Sequence, residues 1–292
     1  MFDLVVVGGI FREVLRGDGI DPSRRLAGSG ITASVAASRF GAKTALVSYV
    51  GDEDAELATV LLGSADVDMA SVMPVGGASG TFVFPTAPSE ERPWPMYRPA
   101  DSIPVEAPPL PQATIYLVFG FPGFDAVTAG WLSNAPVDSS LLWDRQGWLS
   151  KARDSESVSR LPPHNKIYLA NLREAKEEYS SDAASSLLAV MPPPGFGAAV
   201  IKMASAGVTI VQTAASEAQC EHILGFPVET PASIGSGDVL AGVTAARLAN
   251  GDPLGDAIAA GNAAAATYLA ASCDPFAPNL VLGATELLNT RR

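Results

Sequence analysis

Ile31-Thr-Ala-Ser-Val-Ala-Ala-Ser-Arg-Phe40-Gly41-Ala-Lys-Thr-Ala45-Leu-Val-Ser-Tyr-Val50-Gly-Asp-Glu-Asp54-Ala-Glu-Leu-Ala-Thr-Val-Leu-Leu62-Gly63 changes its hydrophobic period twice. Ile31 to Phe40 is alanine-rich and stops at Gly41, which predicts a helix. Ala45 to Val50 is too uniformly apolar for a half-exposed strand, so it predicts a strand buried on both faces of a parallel sheet. Asp54 to Leu62 returns to helix and ends at Gly63. The same alternation runs outward through apolar segments at Leu4–Val7, Ala113–Phe119, Ser140–Trp143, Ile167–Leu169, Ala198–Ile201 and Val208–Val211. Helical patterns fall at Phe124–Leu132, Leu172–Glu178 and Asp182–Val190. Such βαβ units with right-handed crossovers give an α/β fold, a mostly parallel sheet with helices on both faces.

The last third turns to helix. Val239 to Leu248 stops at Asn250-Gly251, and Asp252-Pro253 offers a cap and a first-turn proline for a run carrying Leu254, Ile258, Ala265 and Leu269. These small-residue helices should pack closely. Residues 71–112 break the alternation: Thr81-Phe-Val-Phe84 and Pro95-Met-Tyr-Arg98 flank the polar Ser89-Glu-Glu-Arg92. They predict a two-stranded flap that joins Phe11–Leu15 in a small sheet, with lid elements at about 11–16 and 79–98 of one domain spanning 1–292. Phe82, Phe84, Trp94 and Tyr97 would cover a ligand and exclude water. The plainer alternative is an irregular loop, because Pro93, Pro95 and Pro99 each remove a ladder donor.

A chain of 292 residues with 48% hydrophobic residues can bury a large core. Its formal net charge of −12, with Arg24-Arg25 and Arg291-Arg292 as isolated pairs, excludes a nucleic-acid binder. Any phosphate must therefore be held largely by backbone amides and a metal ion. Cys220 and Cys273 provide no disulfide framework or metal spacing. The start Met-Phe-Asp-Leu-Val-Val-Val has no basic region or long apolar run, so the expectation is a cytoplasmic protein without a membrane segment.

The chemistry concentrates in Pro231-Ala-Ser-Ile-Gly235-Ser-Gly-Asp238-Val. Gly235 and Gly237 let the backbone bend so that N–H groups converge at the start of the following helix, an anion site. A carboxylate there opposes the anion unless it accepts a proton from whatever attacks a phosphate, which makes Asp238 a candidate general base. The plainer alternative is a helix capped by aspartate. Val5-Val-Val-Gly8-Gly9 opens like a dinucleotide-binding turn but lacks the third glycine and the acidic residue on a second strand, so an oxidoreductase is set aside.

Ala27-Gly28-Ser29-Gly30 through Gly51-Asp52-Glu53 resembles the N-terminal signature of the ribokinase-like carbohydrate kinases, the PfkB family. Gly235-Ser-Gly-Asp238 resembles that family's C-terminal signature, and Asn171-Leu-Arg-Glu174 its Asn-x-x-Glu element. The resemblance implies a three-layer α/β domain with a small β-sheet lid that transfers the γ-phosphoryl of ATP to a hydroxyl of a sugar or nucleoside-like molecule. Asp238 would be the base, and the amides of Gly235, Ser236 and Gly237 the anion hole. Asn171 and Glu174 would act on Mg²⁺ through water; the plainer alternative makes them a helix cap and a helix-face carboxylate. Nucleotide contacts would come from Asn171, Lys202, Ser205, Gly207 and Asn262, and acceptor contacts from Glu13, Gly28, Ser29, Thr32 and Phe82. The chain departs from the family where Ala232-Ser233 replaces Asp-Thr, so the resemblance does not carry over a monovalent cation. Glu13 replaces an aspartate and Thr32 an asparagine, which points to a different acceptor. A catalytically weak relative that binds a ligand is the alternative function, and a homodimer through the lid is compatible with the flap. Trp143-Asp144-Arg-Gln146-Gly resembles the stretch where relatives place acceptor contacts, with no role assigned.

Overall fold

The structure, a computed structural model, describes residues 1–15, 25–84, 96–98, 110–120, 130, 132–146, 158–163, 165–179, 191–214, 217–229 and 234–290. The body is built on β1 (Phe2–Val7), β4 (Thr44–Gly51), β5 (Asp68–Val75), β8 (Ala113–Phe119), β9 (Ser140–Asp144), β10 (Asn165–Asn171), β11 (Ala198–Lys202), β12 (Gly207–Ala214) and β13 (Glu217–Leu224). Among the described residues these form a nine-stranded sheet in the order β13-β12-β11-β10-β9-β8-β1-β4-β5. From β11 to β5 every pairing is parallel; Val5, for example, lies between Ala45 and Tyr116.

Every residue of β4 is buried, as its largely apolar sequence, broken only by Thr44 and Ser48, requires. Alternate side chains divide between two cores. Leu4, Val6, Leu46, Leu117 and Leu142 face α1 (Ser29–Arg39) and α4 (Ser236–Ala249), represented by Ile31, Val35 and Ala241. Val5, Val7, Val47, Tyr116 and Leu141 form the core of the opposite face, joined there by Ala175 of α3 (Leu172–Tyr179). The three-layer α/β fold expected from the alternation is present. A further small-residue cluster of Ala36, Val243, Ala260 and Ala284 joins α1 and α4 to α5 (Leu254–Ala270) and α6 (Leu280–Asn289). Gly242 allows the close approach: a Cβ there would lie 2.4 Å from the Ala33 carbonyl oxygen. α2 (Ala55–Gly63), preceded by a 3₁₀ turn at Asp52–Asp54, follows β4.

The run Val208–Val211, read as a buried parallel strand, belongs to an antiparallel pair with β11. Only Met203 and the three-residue 3₁₀ turn Ala204–Ala206 separate β11 from β12, too short for a parallel crossover. Gly207, at φ 104°, faces the Ile223 carbonyl, which a Cβ would approach to 2.1 Å. β5 and β13 were not anticipated, because Met73-Pro74 and Glu217-Ala-Gln-Cys-Glu221 carry no sustained apolar pattern. Asp252 does not cap α5; its carboxylate takes the Arg247 guanidinium at 2.5 Å and Pro253 occupies the capping position. The expected helix at 124–132 falls almost wholly, and the one at 182–190 wholly, outside the described residues.

A separate four-stranded sheet has the order β3-β2-β6-β7, comprising β2 (Phe11–Leu15), β3 (Leu26–Ala27), β6 (Thr81–Phe84) and β7 (Met96–Arg98). The expected flap pair is β6–β7, antiparallel, and β2 joins it parallel to β6. Trp94 and the three prolines at 93, 95 and 99 lie outside the described residues. The sheet is tied to the body through Arg12, which pairs with both Glu53 and Asp54. Asp54, 2% exposed, accepts from Arg12 Nε at 3.0 Å and from the Ser79 N–H at 2.8 Å. The Ser79 hydroxyl accepts in turn from the Gly51 N–H at 2.9 Å.

Candidate active site

The carboxyl ends of β9, β10 and β11 open towards the first turn of α4, the location where parallel α/β sheets place ligands. Gly235 precedes α4 in the left-handed conformation at φ 79°, and a Cβ there would meet the Tyr268 Oη at 2.5 Å. The Tyr268 hydroxyl donates to the Ile234 carbonyl at 3.0 Å and so fixes the turn from α5. No side chain caps α4. Asp238 stands in the first helical turn instead, and its Oδ1 accepts from Gln146 Nε2 at 2.9 Å.

The end of β9 supplies the surroundings. Asp144, 1% exposed, takes the Lys202 ammonium from β11 at 2.6 Å, and its Oδ1 has no hydrogen-bond partner among the described residues. Arg145 is equally buried and donates to the Glu174 carbonyl, with Glu177 at 3.6 Å. At the end of β10, the Glu174 N–H donates to Asn171 Oδ1 at 2.9 Å and the Asn171 N–H to Glu174 Oε2 at 2.7 Å. This reciprocal pair is a capping box at the start of α3. It leaves the other oxygen of the buried Glu174 carboxylate available for a ligand.

Burial, the nearby Asp144, and further off Glu13 and Glu174 push Asp238 up to about 8, against the pull of Lys202. Burial also raises Asp144, with Glu174 adding and Lys202 opposing. Lys202 is pushed down by burial, but the surrounding carboxylates, Asp144 first, outweigh this and hold it charged. The ammonium lies beside the glycine turn; a Cβ on Gly237 would be 3.3 Å from it. One half-buried cation thus serves several carboxylates, and near neutrality Asp238 holds the proton.

A cavity of about 620 Å³ connects this group to the small sheet. On the lid side Glu13, Gly28, Ser29, Thr32 and Phe82 line it, with Glu13 3.4 Å from Arg25 and Phe82 edge-on to Phe11 at 4.5 Å. On the other side are Asn171, Glu174, Lys202, Gly235, Gly237 and Asp238. Three of the expected nucleotide residues are not part of this lining. Ser205 is exposed on the turn between β11 and β12, Gly207 serves the hairpin, and Asn262 donates to the Leu224 carbonyl at 2.8 Å. Asp144, Arg145 and Gln146 acquire definite partners that the sequence left without roles; a polar triplet directly after a buried parallel strand was the available signal. Tyr268, inside an alanine-rich helix, carried no signal.

The family model for pfkB family carbohydrate kinases matches residues 145–272, which contain the turn, the capping box and Lys202. No curated protein matches the chain. Among solved structures, ribokinase from Cryptococcus neoformans var. grubii serotype A, in complex with ADP, aligns with a TM-score of 0.73 at 15% identity over 99% of both chains. Adenosine kinase from Sinorhizobium meliloti gives 0.76 at 14% identity over 98% of this chain and 99% of its own. Burkholderia thailandensis nucleoside kinase in complex with inosine gives 0.72 at 14% identity over 98% of each. The chain carries the pfkB carbohydrate-kinase pattern over those residues and the ribokinase-like fold over nearly its whole length.

Proposed function

We propose that the protein transfers the γ-phosphoryl group of ATP to a hydroxyl of a small carbohydrate or related molecule. The observation that carries this reading is the half-buried Asp238 in the first turn of α4, beside the glycine turn and the Lys202 ammonium, at the floor of a cavity roofed by a small sheet. Asp238 takes the proton from the acceptor hydroxyl as its oxygen bonds to phosphorus and the bond to the leaving ADP breaks. Amides of Gly235, Ser236 and Gly237, with Lys202, face the charge that develops on the phosphoryl oxygens. Phe82 and Phe11 shield the acceptor from water.

Magnesium fits this donor set. Among the described residues no cluster of three or more His, Cys, Asp or Glu could hold a metal alone. Magnesium keeps most of its water shell, and Glu174 and Asn171 would hold the hydrated ion through water. When bound, the ion neutralises phosphate charge. The acceptor class, sugar against nucleoside, is decided by a thermal-shift and product screen with Mg·ATP. Stabilisation and a phosphorylated product with one class name the substrate; a response to a small molecule with none to nucleotide favours the ligand-binding relative instead. Because Asp238 must be ionised to act, kcat/KM in the active pair is expected to rise with pH along a limb near 8, measured from pH 6 to 9.5.

A further inference from the structure

Three consecutive residues at the end of β9 each hold a different part of the site: Asp144 the Lys202 ammonium, Arg145 the first turn of α3, and Gln146 the Asp238 carboxylate. Gln146 adopts φ 45°, a left-handed backbone uncommon outside glycine. Its two predecessors, anchored by the contacts above, hold it there. This bend brings its amide to Asp238 Oδ1, 2.9 Å away, while the Lys202 ammonium lies beside the neighbouring Gly237. An aspartate carboxylate has a broad terminal torsion, and an unheld one beside a buried ammonium turns towards it.

We propose that Gln146 is the positioning residue of the base: by holding Oδ1 it keeps the carboxylate from swinging to Lys202 and leaves Oδ2 facing the acceptor hydroxyl. A neutral amide suits this role, since it orients the carboxylate without the charge of a second cation. The inference rests on Asp238 acting as the base. It also explains why glutamine, with a donor at the end of a long arm, stands where the strand has already ended.

The test compares the wild-type protein, Gln146→Met and Asp238→Asn with Mg·ATP and either D-ribose or adenosine as acceptor, alongside crystal structures of wild type and Gln146→Met. The expected result is a kcat about 10²-fold lower in Gln146→Met, with KM for ATP within twofold, unchanged thermal stability and the Asp238 carboxylate rotated towards Lys202. An unchanged kcat, or a carboxylate placed as in wild type, overturns the proposal. Asp238→Asn separates the two readings: if it is inactive while Gln146→Met is normal, only the positioning role fails, and if it turns over like wild type, the base itself is wrong. Where neither acceptor is used, the crystallographic comparison decides. Gln146→Leu, similar in volume and without the amide donor, is the second variant should Gln146→Met not fold, and the same loss and rotation are expected of it.

Discussion

Asp238→Asn is expected to lower the turnover of Mg·ATP-dependent phosphoryl transfer by about 10²–10⁴-fold, with ATP binding little changed. The substitution keeps the shape of the side chain and the place for the Gln146 contact, but removes the group that takes the proton. It has a second consequence, read in stability. Folding raises Asp238 to about 8, so between the ordinary aspartate range and pH 8 the folded state binds more protons than the unfolded one. The wild type therefore loses stability as pH rises through that window, and the loss is complete above 8. Asparagine has no such slope, so the variant gains on the wild type from pH 5 to 9. Urea unfolding at several pH values measures this, and parallel curves for the two proteins would show that the Asp238 environment is not as described.

Lys202→Met is expected to cost about 3–5 kcal/mol, since it leaves the Asp144 carboxylate buried without its cation. The cost should shrink at low pH, where Asp144 and Asp238 are protonated. The double variant Lys202→Met, Asp144→Leu should recover much of the lost stability while remaining inactive, because two apolar residues replace the pair without leaving a charge. Denaturant midpoints of the single and double variants provide the measurement. Equal destabilisation of both would mean that the pair is not a closed unit.

The α/β class was legible because β1, β4 and β8 carry the unbroken apolar runs Leu4–Val7, Ala45–Val47 and Ile115–Phe119, a pattern that suits strands covered on both faces. β12 looked the same locally; its direction depended on the length of a turn, which hydrophobic period does not report. β13 and β5 lie at the two edges of the sheet, where half-exposed strands tolerate polar residues. In the site, the bend at Gly235 and the place of Asp238 at the helix start could be read because glycine before a small-residue helix favours such a turn, whereas the role of Asp238 could not, since aspartate is also common at helix starts. Gln146 and Tyr268 could not, because their partners lie 92 and 34 residues away and arise only from the folded arrangement. Asn171 and Glu174 admit both readings at once: they form the capping box and also line the cavity.

The single carboxylate of Asp54, shared by Arg12 of β2 and the Ser79 amide that leads into β6, gives the roof of the cavity a mechanical character. Arg12 also meets Glu53 at 3.0 Å, so the two strands, paired to each other, are held to one 3₁₀ turn of the body and form a single leaf rather than independent flaps. A substitution in the edge strand β7 should therefore leave both this anchorage and the glycine turn on the cavity floor unchanged.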